Sequence, residues 1–163
     1  MVGARLVRLI ENHSQQLAAG LTEKLRHSER TSDLRKIPPE RLRRTTEEVY
    51  CNLGEWLLKK TERDIEARFR ALAARRAAEG VALHQFVWAL IISRNYLRKF
   101  LREEALADSV VALYDTLEMQ QLLNQFFDRA VYYSVLGYSD TKDRESVAMD
   151  FTHLRQWIDP LSM

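Results

Sequence analysis

The side chains of this chain that could do chemistry are its histidines, its one cysteine, two groups of arginines and one arginine set among apolar residues. His84 lies one turn into an apolar segment, on the same helical face as Trp88, where an imidazole could in principle ligate haem iron. The plainer reading is a partly exposed residue near a helix start. His13 interrupts an apolar stripe, and such a histidine is either hydrogen-bonded core or interface, or a pH-sensitive contact. Cys51, next to Tyr50 and close to Leu53, reads as a buried, inert thiol rather than a redox sensor, which needs exposure beside positive charge. A single cysteine can form neither an intramolecular disulfide nor a cysteine-based zinc site, so a reducing, cytoplasmic location is expected.

The arginines divide into two cases. Arg41, Arg43 and Arg44, and then Arg68, Arg70, Arg75 and Arg76, could offer a surface to phosphates, but Glu40, Glu47 and Glu48 and then Glu62, Glu66 and Glu79 interleave with them. That is the pattern of a solvated face laced with i,i+4 pairs, and it is preferred over a nucleic-acid site. Arg94 falls on the Leu90–Leu97 stripe, where a buried guanidinium needs a carboxylate or carbonyl partner. A structural partner is the preferred reading and a ligand carboxylate the alternative. With Trp88 and Tyr96 from the same segment, Arg94 defines the candidate ligand pocket. The sequence contains no glycine-rich phosphate loop, no HExxH, no GxSxG and no pair of cysteines or histidines at metal-ligand spacing. No catalytic, metal-binding or cofactor-binding residue is therefore assigned, and the chain is expected not to be an enzyme.

The elements that must carry these residues are helical. Three prolines and five glycines suit long helices joined by short turns, and 163 residues with 46% hydrophobic content fill one core. Leu6, Ile10, His13, Leu17, Leu21 and Leu25 predict a first helix over about 4–26. Residues 27–39 break the pattern, and Pro38-Pro39 starts a second helix bearing Leu42, Val49, Leu53, Trp56 and Leu57. Thr61 and Asp64 form a variant capping box for a third helix to residue 79, which Gly80 ends. The next helix, from Leu83 through Leu101, spreads apolar residues beyond one stripe and should be buried on more than one side. A fifth, capped by Asp108 or Ser109, runs to about Gly137. Its length and wide apolar surface point to homodimerisation, with Leu122, Phe126, Phe127 and Tyr133 as candidate interface residues. Val147, Phe151, Leu154 and Ile158 suggest a short sixth helix in a tail spanning 140–163, separate from a domain at 1–139. The net charge of +2, from 25 basic and 23 acidic residues, supplies no field to recruit nucleic acid or an anionic membrane. No apolar run of 18 residues and no leader pattern occurs, so neither secretion nor membrane spanning is expected.

Certain segments carry a family resemblance. The run Arg76-Ala77-Ala78-Glu79-Gly80-Val81-Ala82-Leu83-His84-Gln85-Phe86-Val87-Trp88-Ala89-Leu90, the stretch from Arg94 to Leu101, and Phe126-Phe127-Asp128-Arg129-Ala130 leading to Gly137-Tyr138-Ser139 resemble the N-terminal sensor domain of RsbR-type stressosome proteins, the RsbT co-antagonists. The resemblance implies a single globin-like bundle of five to six helices that binds no haem, a homodimer, and a sensory or adaptor role in bacterial signal transduction. The implied partners are a signalling protein or a small apolar ligand, with no cofactor. Two other readings stand beside it: a haem- or lipid-binding globin-type sensor, and a basic helical nucleic-acid binder whose affinity would fall steeply with salt.

Overall fold

A computed structural model of the chain describes residues 4–105 and 110–158, with side chains described over 4–104 and 113–145. The described residues form seven α-helices and one 3-10 stretch, without strands. The helices are α1 (Ala4–Asn12), α2 (Ser14–His27), α3 (Pro39–Tyr50), α4 (Leu53–Leu58), α5 (Glu62–Ala78), α6 (Leu83–Ala105) and α7 (Val110–Ile158), with the 3-10 stretch at Glu29–Lys36. The described residues are all-helical in class, as their periodicity requires.

Two of the expected helices are divided, each for a local reason. His13 has a non-helical backbone (φ −107°, ψ 15°), and its ring Nδ1 bonds the Leu9 carbonyl at 2.8 Å, which separates α1 from α2. A side chain that bonds the backbone locally offers the chain an alternative to continuing the helix. The break between α3 and α4 falls at Cys51 and Asn52, where Asn52 is also non-helical (φ −118°, ψ 28°) and its amide bonds the Glu48 carbonyl at 3.1 Å. The linker after α2 is not open loop. Its 3-10 turn buries Thr31 and Leu34, and Ile37 follows them into the core.

The signals at the start of α5 and at its end act as the sequence suggests. The Asp64 N–H donates to Thr61 Oγ1 at 3.2 Å while the Thr61 N–H donates to Asp64 Oδ2 at 2.9 Å. Gly80 has φ +81°, its N–H bonds the Ala77 carbonyl at 3.1 Å, and the Val81 N–H reaches back to the Arg76 carbonyl at 3.0 Å. Those two bonds close the helix in the Schellman manner, which needs a left-handed residue that glycine adopts without strain.

Gly137 does something different. The helix does not stop there, nor does a separate short helix follow: α7 continues to Ile158. A Cβ at Gly137 would stand 2.8 Å from Ala73 Cβ and 2.8 Å from the Arg70 carbonyl oxygen. The glycine lets α5 and α7 approach closely. The candidate cap at Asp108 or Ser109 and the side chains of Val147, Phe151, Leu154 and Ile158 lie outside the described residues.

Around that contact α7 packs chiefly against α5 and then against α6. Phe69 and Phe126 meet edge-on with centroids 5.6 Å apart, and Phe127 stands edge-on to Phe126 at 5.3 Å. Leu97, Leu101, Met119, Leu123 and Ala130 complete the buried seam. Each fully buried leucine, methionine or phenylalanine in this seam contributes roughly 1.5–3 kcal/mol.

Candidate functional site

The segment from Arg76 to Phe86, the densest part of the resemblance, is a junction between elements. Arg76 keeps only 3% of its side-chain surface, and its Nη1 donates to Glu79 Oε2 at 2.8 Å. Glu79, 18% exposed, also receives Arg41 Nη1 from α3 at 2.6 Å. The start of α6 is capped from a distance: the Ala82 N–H donates to Asp33 Oδ2 at 2.9 Å, and Gln85 Oε1 accepts from the Asp33 N–H at 2.6 Å. This reciprocal pair of bonds does across 49 residues of chain what a capping box does locally. Tyr138 of α7 donates to the Val81 carbonyl at 2.9 Å and stacks on Phe86 with centroids 6.0 Å apart. One turn thus joins the 3-10 stretch, α3, α5, α6 and α7.

The Ala82 N–H is the first cause holding the Asp33 carboxyl below the usual carboxylate range; partial burial opposes it and Lys36 adds to it. A lowered folded-state value gives stability that is complete above the unfolded aspartate value of about 3.9 and is lost as pH falls through the folded one. The stability difference between wild type and Asp33→Asn should therefore shrink as pH is lowered from 6 towards 2, as measured by urea unfolding at each pH. A difference that stays constant across that range would show that Asp33 does not act through its charge.

A second constellation lies between α3 and α5, which run antiparallel, Arg41 pairing with Glu79 and Glu48 with Arg68 at 3.0 Å. A cleft of about 300 Å³ opens between these two pairs, lined by Arg41, Arg44, Thr45, Glu48, Arg68, Ala71, Leu72 and Arg75. Beneath it, two apolar cavities of about 70 Å³ each share Thr45 and Leu72 with the cleft. The arginine groups that read as a solvated face are in part the two walls of one concave surface. Their spacing on each helix was visible in the sequence, but that α3 faces α5 was not.

The structure scatters the expected pocket residues over α6. Trp88 lies under the Arg30 guanidinium, 4.7 Å from its ring centroid. Tyr96 faces α2, where its hydroxyl fills the space over Gly20, and it lines a separate shallow pocket with Leu17, Lys99, Phe100 and Glu103. Arg94 points to α7, 3.8 Å from Asp128, an exposed carboxylate. With a quarter of its side chain open, Arg94 is not the buried guanidinium its position on the stripe suggests; that description belongs to Arg76.

Among the expected interface residues, Phe126 and Phe127 are core, being 2% and 5% exposed within this one chain. Leu122 is half-buried, and Tyr133, also half-buried, donates to Glu62 Oε2 at 2.8 Å. Among the described residues, the large apolar side chains that α7 exposes are instead Leu113, Tyr114, Leu117, Tyr132 and Val135.

The remaining chemical candidates are also placed. His84 is exposed on the first turn of α6. His13 is half-buried and hydrogen-bonded, with Phe100 at 5.9 Å. Cys51 is exposed rather than buried, because it falls at the break after α3. Partial desolvation and the neighbouring Glu47 raise its thiol, so it lacks the electropositive setting of a reactive cysteine. Among the described residues no group of three His, Cys, Asp or Glu is placed to hold a metal ion, and no helix is long and apolar enough to cross a membrane.

The constellations described here join helices or gather like charges within an all-helical frame. The chain belongs to the family described as the RsbT co-antagonist protein rsbRD N-terminal domain, which it matches over residues 15–149. That is a family of signalling domains, not of enzymes. Neither a curated protein nor a solved structure matches the chain.

Proposed function

We propose that this chain is a non-enzymatic sensory or adaptor domain of bacterial signal transduction, with a globin-like helical arrangement that works without haem. It acts as a cytoplasmic homodimer that contacts a signalling protein. The family description names RsbT, which makes a protein of that kind the partner to test.

The observation that carries the reading is the two-sided character of α7. Met119, Leu123, Phe126, Phe127, Ala130 and Ser134 turn inward, while Leu113 with Leu117 and Tyr132 with Val135 form two apolar patches that are more than a third exposed, separated by the exposed polar residues Glu118, Gln121, Gln125 and Asp128. Two exposed apolar patches on one helix leave surface to bury, and a copy of the chain, which can cover both at once, is the economical occupant. The two apolar cavities beneath the cleft hold about 70 Å³ each, little room for an apolar ligand, so we favour dimer and partner contacts over an enclosed small apolar ligand as the route of response. In this reading residues 1–139 are the sensor and 140–163 a tail or connector, of which α7 occupies the part up to Ile158.

Light scattering at micromolar concentration should give about twice the 19.1 kDa chain mass. Leu117→Glu with Val135→Glu should give the single-chain mass with an unchanged helical circular dichroism spectrum. A wild-type protein that stays monomeric at tens of micromolar would overturn the dimer.

A further inference from the structure

The α3–α5 cleft has charge to spare. The ion pairs at its two ends, Arg41 with Glu79 and Arg68 with Glu48, use the carboxylates that span the helices. Between those ends, by helical spacing, lie Arg44, three residues after Arg41, and Arg75, four before Glu79. Neither makes a hydrogen bond or ion pair to a side chain among the described residues. Arg68 Nε is buried and has no hydrogen-bond partner although its side chain lines the same cleft. A solvated face laced with pairs accounts for Arg43, which bonds Glu40 and Glu47, and for Arg70, which bonds Glu66, but not for these three groups.

Like charges gathered on two facing helices repel, and Arg41 and Arg75 act against the charge of buried Arg76 just behind them. An anion in the cleft would relieve that repulsion. Two unpaired guanidiniums match a dianion, and the arginine fork suits tetrahedral oxyanions. The cleft, at about 300 Å³, has room beyond one phosphate group, and Thr45, Ala71 and Leu72 give that room a weakly polar lining.

We propose that the cleft between α3 and α5 binds a small organic phosphate monoester, the phosphate held by Arg44, Arg75 and Arg68 and the organic part lying over Ala71 and Leu72. This goes beyond the dimer and partner reading, because α7's exposed side takes no part in it. A ligand here would tie α3 to α5 and so bear on Glu79, the carboxylate that links α3 to the turn from which α6 and α7 are held.

The test is isothermal titration of the full chain at low ionic strength with glucose 6-phosphate, adenosine 5′-monophosphate and inorganic phosphate, with light scattering on the same samples. At least one monoester should bind tenfold or more tighter than inorganic phosphate, and its binding should weaken with added salt. Arg44→Gln with Arg75→Gln should reduce that affinity at least tenfold. Both residues are exposed and make no hydrogen bond or ion pair to a side chain among the described residues, so the variant should keep its unfolding midpoint, and its dimer mass should not change. Failure of both monoesters to bind, equal binding of inorganic phosphate, or an affinity that the double variant leaves intact would each overturn the proposal. Light scattering reports separately on the dimer.

Discussion

Replacing Glu79 by glutamine should destabilise the domain by about 3 kcal/mol, the scale for stranding a buried charge. Arg76 is the buried cation at risk. Its guanidinium is almost wholly enclosed, and Glu79 is its one carboxylate partner among the described residues. Glutamine keeps the volume but leaves that charge uncompensated, and it also releases Arg41 of α3 from its 2.6 Å contact. The reverse substitution is not symmetric. Arg76→Met removes the desolvated charge altogether, while Glu79 keeps Arg41, so the loss should stay within about 1 kcal/mol because a hydrophobic replacement of a buried ion often costs little. Urea midpoints at unchanged slope would measure both. Equal losses for the two variants would show that the pair acts as a simple tether rather than as a neutraliser of buried charge.

Gly137→Ala should destabilise by about 2 kcal/mol, a sign opposite to that expected from helix propensity, which favours alanine by about 1 kcal/mol in a helix interior. The new methyl would meet Ala73 Cβ and the Arg70 carbonyl at 2.8 Å, and both belong to the fixed frame of α5. Relief therefore requires α5 and α7 to move apart, which loosens Phe69 against Phe126 and the bond from Tyr138 to Val81. Gly54→Ala is the control. Its Cβ would meet Glu11 Oε1 at 3.0 Å and Val7 Cγ1 at 3.1 Å, wider contacts that involve side chains and not the backbone of a packed helix and need shifts of only a few tenths of an ångström, so its effect should remain below about 1 kcal/mol. Thermal or urea unfolding compares the two, and a stabilised Gly137→Ala protein would refute the close helix approach.

The contrast between the two marker glycines shows what local sequence can carry. Gly80 needs only its own φ and the two backbone bonds beside it, all settled within six residues, so a glycine after a helical run is sufficient notice. Gly137 is read correctly only when Ala73 and Arg70 are known to lie against it, and those residues are more than sixty positions earlier. The same limit applied to Arg94 and Arg76. Periodicity placed Arg94 on an apolar stripe, but burial depends on which helix covers the stripe, and there α7 presents the exposed Asp128.

What the sequence by itself determined was the all-helical class, the capping box at Thr61, the stop at Gly80 and membership of a signalling family through the run from Arg76 to Leu90. The first three follow from short-range physics, namely hydrophobic period, capping chemistry and glycine's free backbone, and the fourth from resemblance to a known family. Only the tertiary structure decided that α7 runs unbroken past Gly137, that Phe126 and Phe127 are core, that Asp33 caps a helix 49 residues away, and that arginines from α3 and α5 face one another across a cleft. Each of those depends on which surfaces meet, and the packing of two helices is set by the shapes and charges of both at once, which no window along one chain contains.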